Sequence, residues 1–322
     1  MNRPSIPQTP RWGIGLAFGT AAISGVAVWL NSSALRSVGD PAVYTTLKNL
    51  VAAVVHVAIA GAMGHRAEVR RLDRGRWGRL MVIGVIGGAV PFLLFFTGLS
   101  MATAPGAAFI HKTLFLWVAL MAVPLLGERI GVIQVTALGI LLVGQTLLVM
   151  PSAGGAFGVG EVMILAATLL WSIEVIVAKR VLVDVSPTVV GAARLGFGLV
   201  VLGGYLVVTG KLALLTTLTP QAGAWVLLTG LLLAGYVGTW FAALSRAPAT
   251  VVTAVLVVGA LGTAALDGVA GSRLPEPATL LGGSVMAVAV VVIALAAQRA
   301  DGRAVMATES AGRATGVTRN RS

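Results

Sequence analysis

Lys112 and Glu174 each stand inside a long apolar run, with His111 immediately before the lysine. An ionisable group near the centre of a bilayer faces protein or water and is a functional candidate by default. An ammonium and a carboxylate in that setting can hold a charged solute, pass a proton, or pair with each other and stitch two parts of the fold together. On helices the two sit about six residues apart in depth, roughly 9 Å at 1.5 Å per residue. Long side chains, a water or a solute could shorten that gap. His111 points about 100° around the helix from Lys112, either into the same space or towards a neighbouring helix. Lys48 and Arg194 are further cations within apolar runs; each can snorkel to an interface or line a positively charged vestibule. Trp29, Trp117, Trp171 and Trp240 also lie within runs, away from the interfaces that Trp favours. They can wall a cavity or simply pack helices. Asp267 falls near the end of a run and His56 within one; the first reads as interfacial and the second as structural.

The elements that must position these groups follow from composition. Of 322 residues, 57% are apolar and 11% charged, and the mean hydropathy is +0.95. Soluble domains run at roughly 45–50% apolar and about 25% charged, so hydrocarbon is the solvent. The net charge of +12 does not indicate nucleic acid, because the basic clusters are short and flank runs of about twenty residues, the length that crosses ~30 Å of hydrocarbon. There are no cysteines, which excludes disulfides, thiolate metal sites and a Cys nucleophile. The apolar stretch near the N-terminus is long and is followed by a poor cleavage site, Asn31-Ser32-Ser33-Ala34, so it reads as a first span and not a signal peptide.

Ten spans are expected, over 12–35, 41–63, 78–100, 103–126, 130–150, 159–181, 187–208, 222–244, 248–270 and 277–298. Each must be helical, because lipid offers backbone groups no partners. Pro41, Pro105, Pro187, Pro248 and Pro277 fall in or near first turns, while Pro91 and Pro124 fall inside spans and should kink them. Of the 23 Lys and Arg, Lys48, Lys112 and Arg194 lie within spans, and Arg36, Lys211 and Arg273 lie at one end. The other seventeen lie at the opposite end, which the positive-inside rule makes cytoplasmic, with both termini. A tail from 299 onward is polar and basic and is expected to be disordered.

The two halves resemble each other. Phe95–Ala102 aligns with Trp240–Ala247, Pro41 and Lys48 with Pro187 and Arg194, and Gly127-Glu128-Arg129-Ile130 with Gly271-Ser272-Arg273-Leu274, at offsets of 144 to 146. An odd number of spans per copy makes this an inverted repeat, with a site expected near the midplane between halves. The domains are therefore a 1–11 tail, a first five-helix unit over 12–150, a second over 151–298, and a 299–322 tail. Glu128 and Arg129, at a helix junction, suit a capping or loop-ordering role.

These features resemble the EamA-type proteins of the drug/metabolite transporter superfamily. The likeness is carried by the stretch from Ala102 to Val149, with Leu126-Gly127-Glu128-Arg129-Ile130, Gln134, Gly139 and Gly144, by the Pro–cation spacing in each copy, and by Trp171. Ser272 stands where the family has Glu, and Lys48 where Arg is commoner. The resemblance implies an all-α polytopic membrane protein and movement of a small metabolite without ATP hydrolysis, with export the expected direction.

The residues themselves agree. No Gly-rich phosphate loop ending in Lys-Ser/Thr is present, nor a Gly-x-Ser-Gly nucleophile or paired span aspartates for an intramembrane hydrolase. A channel or lipid-translocating protein remains the alternative. Three cations against at most two carboxylates within spans favour a solute carrying a carboxylate, such as an amino acid or organic anion. No cofactor or metal is implied; the partners are the solute and the bilayer, and a monomer suffices. The candidate site is Lys112, Glu174, His111, Arg194, Lys48, Trp117 and Trp171.

Overall fold

Short polar residues before prolines start several of the helices. Asp40 Oδ1 accepts from the backbone N–H of Ala42 and Val43 at 2.8 and 3.0 Å, and Thr219 Oγ1 accepts from Ala222 at 3.2 Å. Each cap fills part of the unpaired first turn, and the following proline has no N–H to leave unpaired. The computed structural model describes residues 10–99, 101–102, 104–149, 157–271 and 277–318.

Ten spans are built from these helices. The first two are α1 (Pro10–Val38) and α2 (Pro41–Ala62), followed by the short linker helix α3 (Arg66–Arg70). The third is split into α4 (Arg74–Gly88) and α5 (Val90–Leu99), and the fourth into α6 (Ala104–Lys112) and α7 (Leu114–Leu126). The fifth to eighth are α8 (Val132–Val149), α9 (Val159–Val181), α10 (Pro187–Val208) and α11 (Pro220–Leu244). The ninth is split into α12 (Ala249–Leu256) and α13 (Gly259–Gly271), and the tenth is α14 (Pro277–Thr318). Among the described residues nine spans are long and apolar enough to cross a membrane, and α8 contributes a shorter apolar helix, Val132–Leu147. Val54, Val57, Val200 and Val207 are each at least 60% exposed. Facing acyl chains, that exposure is the solvated side of the molecule.

The splits have local causes. Pro91 cannot donate to the Gly87 carbonyl, and the helix breaks at Ala89. Pro124, also expected to distort its span, leaves α7 continuous to Leu126; that span breaks instead at Thr113. There the Thr113 N–H is shared between the Phe109 and Ile110 carbonyls, and its hydroxyl donates back to Ile110 at 2.6 Å, which tightens the turn. The ninth span narrows to i→i−3 bonding at Val257 and Val258, 145 positions after Thr113. The break recurs in both copies, with no proline at either.

The fold is all-α, with two inverted five-helix repeats that interlock. α1 packs on α11 and α13 of the second copy, and α9 packs on α5 and α7 of the first. α8 and α14 pair at the periphery. Phe115, Leu141, Phe241, Leu244 and Met286 are fully buried in the core the halves share.

The end carrying linkers 63–73, 127–131, 182–186 and 245–248 is the basic end. Polar contacts join the copies there: Glu128 accepts from the Ala249 and Thr250 N–H at 2.6 and 3.1 Å and from the Thr250 hydroxyl at 2.8 Å. The expected capping role of Glu128 therefore reaches across to the other repeat, onto α12. Glu68 accepts from Ser186 N–H at 2.8 Å, and Arg76 pairs with Asp184 at 3.0 Å.

Beyond residue 299, α14 continues to Thr318. Extending an existing helix avoids the costly nucleation step, and Ala, Arg, Met and Glu in this stretch are good formers. Arg3, the 272–274 repeat match with Arg273, and Arg319 and Arg321 lie outside the described residues.

Candidate functional site

Arg194 and Glu174 form the central ion pair. Nε of Arg194 donates to Glu174 Oε1 at 3.1 Å, and both side chains are almost wholly buried. Nη2 donates to the Gly87 carbonyl at 2.8 Å, and Trp171 Nε1 donates to the same oxygen at 3.1 Å. That acceptor is free because Pro91, four residues on, has no N–H. Gly87 must be glycine here: a Cβ would lie 2.5 Å from the Glu174 carboxyl carbon. Arg194 therefore does not snorkel to an interface, and the third guanidinium nitrogen, Nη1, is buried without a partner.

The first repeat offers a weaker counterpart. Lys48 Nζ lies 3.4 Å from Asn31 Oδ1 and 5.1 Å from the Tyr44 ring centre, and the Tyr44 hydroxyl donates to the same amide oxygen at 2.6 Å. In each copy the second-span cation meets a polar group of the first span, a carboxylate in one and a neutral amide in the other. Among the described residues, neither Lys48 nor Lys112 has a carboxylate within ion-pair distance. Lys112 and Glu174 do share one space, but the carboxylate's direct partner is Arg194.

That space is a cavity of about 180 Å³ enclosed by all spans except the fifth and tenth. Lys48, Lys112, Arg194 and Glu174 are its charged residues. Its apolar wall is aromatic: Trp171 lies 4.9 Å from the His111 ring and 5.8 Å from Phe95, and Tyr236 stacks on Trp240 at 6.0 Å. His111 faces this cavity, and its Nδ1 is buried without a partner. The cavity also sits where the split helices break, with Lys112 and Leu114 flanking one break and Leu256 and Val257 the other.

Five of the six other sequence-selected residues converge here with Lys112: Glu174, His111, Arg194, Lys48 and Trp171. Trp117 does not. Its Nε1 donates to Thr113 Oγ1 at 3.1 Å on its own helical segment, outside the cavity lining. His56 bonds the Ala52 carbonyl at 3.2 Å and packs against Gly191, as a structural residue would. Asn31 and the Phe92, Phe95, Phe96 stripe were missed. The stripe's i, i+3, i+4 spacing directly after Pro91 was the available signal, and Asn31 precedes Lys48 much as Glu174 precedes Arg194.

The cavity brings three cations and one carboxylate together beside an aromatic wall. Comparison with known proteins decides the family. The sequence profile of the EamA-like transporter family matches residues 11–150 and again 158–295. The chain belongs to the EamA-like transporter family. The two matches of this EamA-like chain correspond to its two repeats. A solved structure described only as "Crystal structure of protein" is similar over 90% of this chain and 100% of its own, with a TM-score of 0.73 and 18% identity; the likeness is one of fold. No curated protein matches significantly.

Proposed function

We propose that this EamA-like transporter is a secondary transporter that carries a small solute bearing a carboxylate by alternating access. The observation that supports this most directly is the pair of cavity lysines, Lys48 and Lys112, with no carboxylate partner of their own. A buried cation without a counter-charge is costly, and a solute carboxylate would supply the missing charge. Arg194, held by Glu174 and Gly87, keeps Nη1 free as a further donor. His111 and Trp171 form the wall against which the rest of the solute packs. At about 180 Å³, the cavity has room for roughly six waters at ~30 Å³ each, which matches a metabolite of amino-acid size.

Inverted repeats with helices broken at the site are the usual framework for one bundle rocking against the other. We place both termini and the basic end in the cytoplasm on the strength of the Lys and Arg asymmetry.

The test is flux in ATP-free proteoliposomes. Uptake of the solute, found by comparing metabolites of cells with and without the gene, should saturate, show counterflow and stop when the driving gradient is collapsed. Flux rising linearly with concentration and showing no counterflow would mean an open pore.

A further inference from the structure

A second cavity, of about 690 Å³, lies on the lipid-facing side of the bundle between α2, α4 and α10 at the basic end. Its wall along α10 runs from Val189 to Val200, a rise of ~16 Å at 1.5 Å per residue. That is about half of the ~30 Å hydrocarbon thickness, the depth of a single leaflet. The wall is apolar, with Leu80, Val189 and Phe197 in it, and Trp77 meets Phe197 edge-on at 6.0 Å near its mouth. Gly61 and Gly196 lie in it with nothing within 4 Å of where a Cβ would stand. The space is therefore not taken up by the protein's own packing.

The rim carries His65, Arg66 and Arg70. The acidic residues nearby are already committed: Glu68 to His65 and to the Ser186 N–H, and Asp73 to Arg76. Arg66 and Arg70 have no ion-pair partner among the described residues. The Nε2 of His65 is buried with no hydrogen-bond partner, while its Nδ1 meets Glu68 at 2.9 Å. An apolar trough one leaflet deep, ending at uncompensated guanidinium groups, is complementary to a molecule with an anionic head and a hydrocarbon chain. The chain's own tail after 298, with Arg299, Arg303, Arg313, Arg319 and Arg321 against Asp301 and Glu309, carries the wrong charge to fill it. A second copy inserted in the same orientation would bring like-charged rims together.

We propose that this groove is a binding site for one anionic phospholipid. Arg66 and Arg70 hold its phosphate, and an acyl chain lies along α10 over Gly196. Juxtamembrane arginines engage anionic headgroups through charge and close hydrogen bonds. The site is separate from the solute cavity, so it survives or fails independently of the transport reading.

Native mass spectrometry of the purified full-length protein tests it, with phosphatidylglycerol and phosphatidylcholine of matched chains added in turn. The unaltered protein should retain one phosphatidylglycerol with a preference of about thirtyfold over phosphatidylcholine, from two headgroup-facing arginines at about 1 kcal/mol each. Arg66→Gln with Arg70→Gln should erase that preference. Gly196→Leu, which fills the trough and improves helix propensity, should remove the bound lipid without lowering thermal stability, and Gly61→Leu should do the same. Inorganic phosphate in excess should not displace the lipid. Equal retention of both lipids, retention unaffected by the arginine and glycine variants, displacement by phosphate, or a dimer abolished by Gly196→Leu would each overturn the proposal.

Discussion

Pro91 controls the environment of Arg194 from a distance. By having no N–H to give Gly87, it leaves a carbonyl that accepts from Arg194 Nη2 at 2.8 Å. The oxygen that binds the arginine is thus produced by a break in a different helix, in the other repeat. Pro91→Ala should let the helix close on its own carbonyl and release one of Arg194's bonds. We expect a several-fold rise in the solute KM with little change in thermal unfolding, because one hydrogen bond of about 1 kcal/mol replaces another. An unchanged KM would count against the coupling.

The Arg194–Glu174 pair should show the signature of two buried, mutually dependent charges. Glu174→Leu or Arg194→Met alone should lower stability by about 3–5 kcal/mol, whereas the double variant should recover most of it. Thermal unfolding in detergent reads the difference. Additive losses in the double variant would mean that the two side chains do not depend on each other.

Lys112 should behave in the opposite way. With no carboxylate beside it, Lys112→Met removes an uncompensated buried cation and should raise the melting temperature while abolishing transport. Stability gained where activity is lost marks a residue kept for function. A variant that transports normally would remove Lys112 from the site.

Asp40 and Lys211 join the two copies at the end opposite the basic one, 2.7 Å apart. Burial alone would raise the Asp40 carboxyl. The Lys211 ammonium and the N–H groups of Val43 and Ala42 outweigh it, so the group sits below its ordinary value of 3.8. Its folded-state pKa is depressed, so its contribution is complete above about 3.8 and fades as pH falls through the lower folded value. Asp40→Asn keeps the helix cap but should remove that acid-side dependence of unfolding. The same slope in both proteins would assign the dependence to other carboxylates.

With no native cysteine, single cysteines report topology cleanly. Those at Ser37 and Thr217 should label from outside intact cells, and one at Ala67 should not. The reverse pattern would invert the orientation.

The charged residues of the cavity were legible because an ionisable group in an apolar run has no ordinary explanation. Lys48, Lys112, Glu174 and Arg194 stood out on type alone, and the ten spans on length alone. The pairing was not legible. Glu174 meets Arg194 instead of bonding Lys112, and Arg194 also reaches the Gly87 carbonyl where α4 and α10 approach closely at Gly88 and Gly198; no hydrophobic period encodes a close approach. Asn31 was missed since a neutral amide costs less in a span than a charge and stands out less. The breaks at Thr113 and Val257 carry no proline, so only backbone geometry reveals them.

Glu128 sits on three donors of the opposite repeat, at Ala249 and Thr250. If the two repeats tilt apart at that end, all three bonds must be given up together, outside the cavity that Lys48 and Lys112 line. Under the alternating access proposed above, the balance between the two orientations can be tuned at this clasp without touching the cavity lysines. Speed and selectivity become separately adjustable traits.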